Sequence, residues 1–135
     1  MPDTRLQHVA IAVEELDAAV SVYSALLGRP DSGREVVQSE QVRIAFFELG
    51  ESRLELLEPT AEDSPVGRFL KRRGPGLHHI AIEVPDIESA LERCRAAGLQ
   101  TVGKAPRRGA GGRRVAFLHP GSTGGVLLEL SEPLR

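Results

Sequence analysis

The sequence predicts an α+β fold in which two tandem βαβββ modules form a curled, open barrel with a cleft inside. The first observation is an internal repeat: residues 6–13 (Leu-Gln-His-Val-Ala-Ile-Ala-Val) return 71 positions later as residues 77–84 (Leu-His-His-Ile-Ala-Ile-Glu-Val). The second is that each copy is followed by apolar residues at steps of three and four, which indicate an amphipathic helix. The third is that each half ends in an apolar strand that carries one glutamate, at residues 54–57 and 127–130.

The first module contains one helix among its predicted strands. Its helix covers residues 16–27 and ends at Gly28, because glycine readily adopts the left-handed conformation that closes a helix. The remaining predicted elements are strands at residues 35–38 and 41–49, a turn at 50–52, a fourth strand ending at Pro59, and a short helix that Ser64 and Pro65 begin and that continues to Leu70.

The second module repeats this order. It is predicted to contain a strand, a helix over residues 87–97 stopped by Gly98, and strands near residue 101, at 114–118 and at 126–131. Gly74-Pro75-Gly76 is the linker between the modules, and its shortness predicts that they pack as one body. We therefore expect residues 1–135 to form a single domain made of two modules, at about 4–59 and 77–132.

Composition excludes several classes of function. A formal net charge of −2 and an aromatic content of 4% argue against a nucleic-acid-binding protein. No apolar run is long enough to span a bilayer, and the first residues lack an export pattern. The single cysteine, Cys94, cannot form an internal disulfide. We expect a cytoplasmic protein that binds neither nucleic acid nor membrane.

The histidines and glutamates of the repeat suggest a metal site. His8 and His79 occupy matching positions of the two copies, and Glu55 and Glu129 occupy matching positions of the two closing strands. One such residue alone is more often an ordinary core or edge residue, but four at equivalent places form the ligand set of a divalent metal. In each strand the period of two places the candidate ligand on the face opposite its apolar neighbours. His78 and His119 fall outside this pattern, and we interpret both as structural or peripheral.

Basic residues form two clusters, at residues 68–73 and 104–114. Such clusters are usually solvated surface. They are also the chemistry that binds a phosphorylated ligand, because guanidinium groups match phosphate oxygens. Arg107, Arg108 and Arg113 are the candidates for substrate binding on this second interpretation.

Three segments resemble a known superfamily, the vicinal oxygen chelate fold that includes the glyoxalases. They are residues 54–59 (Leu-Glu-Leu-Leu-Glu-Pro), residues 76–84, and the long loop from Pro106 to Gly112 that continues through residues 116–130. Within the superfamily, nearly the whole chain resembles the methylmalonyl-CoA epimerase family. The stretch from His119 to Gly125 replaces the acidic Asp-Pro-Asp-Gly turn that usually precedes the last strand in glyoxalase I.

The resemblance implies metal ligands at His8, Glu55, His79 and Glu129, an octahedral divalent ion, and a homodimer that acts on an acyl-CoA. Cobalt is the ion most often implied, and Mn²⁺, Ni²⁺ or Zn²⁺ would suit the same ligands. The implied reaction interconverts the (2R) and (2S) forms of methylmalonyl-CoA by removal of the C2 proton and stabilisation of the resulting enolate.

The two catalytic bases are a separate question. Some members of the family carry a second glutamate in the third strand, where this chain has Ile44, which cannot transfer a proton. Our hypothesis is that Glu55 and Glu129 serve as the two bases, one from each module, as paired glutamates do in glyoxalase I. Glu48, on the same strand parity as Ile44, is the reserve candidate.

Two alternatives share the fold. A glyoxalase I-type enzyme that acts on a thiol hemithioacetal would use the same ligands, and the turn sequence before the last strand distinguishes it. A non-catalytic protein that binds a small ligand would belong to a different functional class. Such binding proteins commonly lack the metal ligands, so a metal content assay would separate them from the enzymes.

Overall fold

A computed structural model describes residues 3–134, except for the side chain of Lys104. Within these residues no helix is long and apolar enough to cross a membrane. The described strands and α-helices, in chain order, are β1 (Arg5–Ala12), α1 (Leu16–Leu27), β2 (Gly33–Val37), β3 (Val42–Leu49), β4 (Ser52–Pro59), α2 (Pro65–Arg73), β5 (Gly76–Glu83), α3 (Ile87–Ala96), β6 (Thr101–Arg108), β7 (Arg114–Leu118) and β8 (Leu128–Glu132).

The chain divides into two compact units. Residues 8–78 form the first, which we call the N-terminal unit, and residues 79–134 together with 3–7 form the C-terminal unit. The boundaries fall inside β1 and β5, so each of these two strands contributes residues to both units. His8 and His79 are the first residues after the two boundaries.

In the N-terminal unit, β1 lies parallel to β4, and β4 and β2 flank β3 as antiparallel neighbours. Helix α1 packs on β3 and β4. Side chains along a strand alternate between the two faces of the sheet, so every second side chain faces this helix. The resulting core contains Val13, Leu16, Val20, Ala45, Phe47 and Leu56.

The C-terminal unit repeats this arrangement. Strand β5 lies parallel to β8, β7 pairs antiparallel with both β8 and β6, and α3 packs on β8. Its core contains Val84, Ile87, Ala90, Leu91, Ala116 and Leu130. The predicted βαβββ order is therefore confirmed in both units.

At the start of each packed helix, a backbone N–H donates to a glutamate from a strand of the same unit, β4 for α1 and β8 for α3. The Leu16 backbone N–H donates to Glu58 at 3.3 Å, and the Ile87 N–H donates to Glu132 at 2.9 Å. The first backbone N–H groups of a helix have no partner within the helix, so these carboxylates satisfy them and also complement the helix dipole. An arginine from the neighbouring strand accompanies each carboxylate: Arg43 lies 3.1 Å from Glu58 and Arg114 lies 3.6 Å from Glu132.

The interpretation of residues 106–112 as one long loop was wrong in its first part. Strand β6 continues to Arg108, with a shift of register between Val102 and Arg107. A bulge of this kind allows a strand to resume pairing after an irregular segment. Pro106 is tolerated because β6 lies at the edge of the sheet, where a backbone without an N–H donor loses no pairing on its outer side.

Candidate functional site

In the N-terminal unit the structure brings together His8 and Glu55. They lie on the parallel strands β1 and β4, where Ala10 is the register partner of Glu55. Nδ1 of His8 is 3.3 Å from Oε2 of Glu55, and the two residues are only 5% and 4% exposed. The neighbours of Glu55 in β4, Leu54 and Leu56, pack into the core under α1, so the glutamate occupies the other face.

The C-terminal unit contains the equivalent pair, His79 and Glu129. Strands β5 and β8 are again parallel, and Ala81 is the register partner of Glu129 just as Ala10 is of Glu55. Nε2 of His79 lies 2.9 Å from Oε1 of Glu129, and both residues are buried. The same local register therefore produces one buried imidazole–carboxylate pair in each unit.

Three of the predicted ligands form a group that could hold an ion. His8, His79 and Glu129 each offer one ligand atom, and these atoms lie within 4.8 Å of one another. Glu55 is not part of that group, and its neighbour is His8. Buried imidazole nitrogens and carboxylate oxygens are the donors that divalent first-row metals accept, and a cation would offset the cost of burying carboxylates. The donor chemistry thus fits a divalent metal.

Two phenylalanines accompany the glutamates, and the sequence reasoning missed them. Phe46 is the register partner of Glu55, and Phe117 is the register partner of Glu129. The ring of Phe117 meets that of His79 edge-on, with centroids 5.1 Å apart and planes at 87°. Phe46 and Phe117 are 71 positions apart, the same spacing as the two histidines, so extending the repeat into the third strand would have found them.

An arginine guanidinium group packs against each of these two rings. Arg53 lies 4.4 Å from the centroid of Phe46, and Arg107 lies 5.4 Å from the centroid of Phe117. Arg53 also pairs with Glu48, with Nε 2.8 Å from the carboxylate oxygen. Cation–π contacts of this kind contribute about 0.5–2 kcal/mol each, more when desolvated.

The structure separates the three arginines that were candidates for substrate binding. Arg113 donates to Ser131 at 2.7 Å and forms an ion pair with the buried Glu83, so it supports its own unit. Arg108 is exposed and is the register partner of Arg114. Only Arg107, of these three, contacts the ring beside His79.

The remaining histidines have local partners. His78 packs edge-on against Phe69 of α2, with centroids 4.9 Å apart. Nδ1 of His119 accepts the backbone N–H of Gly121 at 3.0 Å, at the beginning of a short 3-10 helix. Both contacts are of the structural kind expected from the sequence.

Comparison with known proteins places the chain among glyoxalase-type proteins. Residues 7–117 match the model of the glyoxalase/bleomycin resistance protein/dioxygenase superfamily. The chain belongs to this superfamily. Membership confirms the predicted fold class and the resemblance to the vicinal oxygen chelate proteins.

Individual relatives are similar over nearly the whole chain. An ethylmalonyl-CoA/methylmalonyl-CoA epimerase from Cereibacter sphaeroides is 40% identical over 95% of this chain and 97% of its own length. The mitochondrial methylmalonyl-CoA epimerase of Homo sapiens is 40% identical, over 95% of this chain and 73% of its own. A solved structure of a methylmalonyl-CoA epimerase in complex with methylmalonyl-CoA and NH₄⁺ is similar with a TM-score of 0.92 and 40% identity, covering 98% of this chain and 96% of the other.

Proposed function

We propose that the protein is a metal-dependent isomerase that interconverts the (2R) and (2S) forms of methylmalonyl-CoA. The observation that carries the proposal is the pair of buried imidazole–carboxylate sites, His8 with Glu55 and His79 with Glu129, at equivalent register in the two units. The epimerases among the relatives, at about 40% identity over nearly the whole chain, support the substrate and the reaction. They favour this reaction over a glyoxalase I-type conversion and over ligand binding without chemistry.

The residues proposed to hold the metal are His8, Glu55, His79 and Glu129. The three that offer ligand atoms within 4.8 Å of one another support this set, and Glu55 joins it as the partner of His8. Co²⁺ is our first choice, and Mn²⁺, Ni²⁺ or Zn²⁺ suit the same nitrogen and oxygen ligands. When bound, such an ion supplies Lewis-acid polarisation of the thioester carbonyl, which makes the neighbouring C2 proton more acidic.

Epimerisation requires proton exchange on both faces of C2. One carboxylate removes the proton from one face of the carbon, and an acid on the other face returns a proton with inverted configuration. Glu55 and Glu129 are the proposed bases, because each unit contributes one carboxylate at an equivalent position. Ile44 is 4% exposed and has no group that could transfer a proton.

Glu48 is a poor reserve base. Its carboxylate pairs with Arg53 and also accepts from the Ser32 hydroxyl at 3.4 Å. Glu48 is also exposed, whereas Glu55 and Glu129 are buried beside the two histidines. Glu48→Gln is therefore the matched control for variants of the two proposed bases.

The test is solvent exchange at C2 with single epimers of methylmalonyl-CoA in D2O. We expect Glu55→Gln and Glu129→Gln to abolish epimerisation, while each variant still exchanges the C2 proton of one epimer, and a different epimer in each case. Glu48→Gln should retain epimerisation. If Glu55→Gln keeps its metal and full turnover, Glu55 is only a ligand and the two-base mechanism fails.

Two further properties belong to the proposal. We propose a homodimer, as the resemblance to the methylmalonyl-CoA epimerase family implies. Sedimentation equilibrium would measure the mass in solution, and a monomer at micromolar concentration would contradict a dimer. We also propose a cytoplasmic location, with which the free thiol of Cys94 is compatible.

A further inference from the structure

We propose that Arg107 recognises the free carboxylate of the acyl group and thereby selects dicarboxylic acyl thioesters over simple ones. This inference rests on the proposed function, because it assigns a role within the same site. It differs from the expectation that the arginines of this segment bind the phosphates of CoA. The two roles act at opposite ends of the substrate, so they can be separated by experiment.

The position of Arg107 in the sheet directs it towards the candidate site. Arg107 is the register partner of Val115, and Phe117, two residues further along β7, is the register partner of Glu129. Side chains two apart in a strand share a face, so Arg107, Phe117 and Glu129 lie on the same face of the sheet. The guanidinium is 5.4 Å from the Phe117 centroid, and that ring contacts His79. Arg107 therefore contacts a ring that itself contacts His79, a proposed metal ligand.

The chain makes room for this guanidinium at Gly103. The residue lies in the irregular segment between Val102 and Arg107, where the strand register shifts, and has a φ of 63°. A Cβ atom at this position would lie 3.1 Å from Nη1 of Arg107. Glycine therefore serves both the left-handed backbone and the close approach of the guanidinium.

Neighbouring arginines do not share this placement. Arg113 is engaged by Glu83 and Ser131, and Arg108 belongs to the opposite strand parity. Arg107 is the guanidinium that we assign to the substrate, because it lies on the ring that contacts His79 and shares a face of the sheet with Glu129.

The chemistry of the substrate favours the carboxylate as its partner. In a malonyl-type thioester the carboxylate is attached directly to C2, the carbon that exchanges its proton. The CoA phosphates are separated from C2 by the whole pantetheine arm. A guanidinium on the ring that contacts His79 is therefore placed for the acyl end, and its planar fork matches a carboxylate in a bidentate contact.

The experiment compares two ligands that differ only in this carboxylate. Binding of malonyl-CoA and of propionyl-CoA to the Co²⁺-loaded protein is measured by isothermal titration calorimetry. We expect Arg107→Gln to weaken malonyl-CoA binding about 10- to 100-fold, the range for loss of a hydrogen bond between charged groups. Propionyl-CoA binding should be unchanged. Arg95→Gln, on the exposed side of α3, is the control and should leave both affinities unchanged.

Two results would overturn the proposal. An equal loss for both ligands would assign Arg107 to the CoA portion, and no loss for either would remove it from the substrate site. Gly103→Ala provides a second variant that leaves Arg107 in place, and it should weaken malonyl-CoA binding selectively by displacing the guanidinium. The proposed function is tested separately, because C2 exchange by the unaltered protein does not depend on this comparison.

Discussion

Glu55 and Glu129 are each proposed to act both as a metal ligand and as a base. The histidines beside them are proposed only as ligands, so their substitution separates metal binding from proton transfer. His79 contributes a ligand atom but no carboxylate, so removing it should affect metal binding first. The adjacent His78 faces Phe69 and provides a matched control one residue away.

Loss of a residue that only hydrogen-bonds to a metal ligand lowers metal affinity by about 10- to 100-fold. We expect His79→Ala to lower Co²⁺ affinity by more than this. The reason is that one of few nitrogen donors disappears from the buried group. His78→Ala should bind Co²⁺ like the unaltered protein. Titration of visible absorbance measures both affinities, and equal affinity in the two variants would exclude His79 as a ligand.

At the residue scale the sequence revealed the proposed ligands better than their surroundings. His8, Glu55, His79 and Glu129 were found because ionisable residues recur at matching places in the apolar strands of the two modules. Phe46 and Phe117 were missed, since an aromatic residue in a strand is ordinary core composition. The distinct role of Arg107 could not be predicted either, because it depends on a register shift that local propensities do not encode.

Among the elements, α1 and α3 each donate a backbone N–H at their start to a carboxylate from β4 or β8. Glu132→Ala would leave the Ile87 N–H without its acceptor, in a position where Glu132 is 5% exposed. We expect a loss of about 1–3 kcal/mol in the free energy of unfolding, the cost of leaving a buried donor unsatisfied. Urea unfolding measures it, with Glu92→Ala on the exposed face of α3 as the control, which should change stability by less than about 0.5 kcal/mol.

Helix α2 contains a glycine that should resist replacement. Gly67→Ala raises intrinsic helix propensity by about 1 kcal/mol. The new Cβ, however, would lie 2.6 Å from the backbone oxygen of Ala61 and closer still to that of Glu62. We expect a net destabilisation of about 1–3 kcal/mol, because backbone has to move. Thermal unfolding of Gly67→Ala and of the exposed Arg72→Ala would decide, and a Gly67→Ala protein as stable as Arg72→Ala would contradict the steric argument.

The elements themselves were largely predictable, and their limits follow from local signals. Helix α1 has the predicted bounds, because Gly28 ends it with a φ of 72°. Strand β6 is longer than predicted. Its proline and glycine indicate a loop in the sequence, and the position of the strand at the sheet edge, which allows them, could not be read there. The 3-10 helices at 38–40, 110–112 and 120–122 have only three residues each. Such short helices show no periodic pattern of apolar residues, so the sequence did not predict them.

For the whole molecule, the repeat is the feature that links sequence to function. Each unit supplies one imidazole and one carboxylate at equivalent register, and these are the proposed metal ligands. An ion that binds only the folded chain stabilises it according to its concentration relative to Kd. The metal should therefore contribute to stability as well as to chemistry.

We expect the chelated protein to unfold at a lower temperature than the Co²⁺-loaded protein. At a free metal concentration of 100 times Kd, the difference amounts to about 2.7 kcal/mol in the free energy of unfolding. Differential scanning fluorimetry with increasing Co²⁺ measures the shift. The His79→Ala variant should show little shift, and a full shift in that variant would place the ion elsewhere.

The most direct test of the central claim is proton NMR of (2R)-methylmalonyl-CoA in D2O with the Co²⁺-loaded protein, followed at C2. Our account expects rapid loss of the C2 proton signal, abolished by a chelator and restored by added metal. Absence of exchange with fully loaded, folded protein would contradict an epimerase and direct attention to a thiol hemithioacetal as substrate.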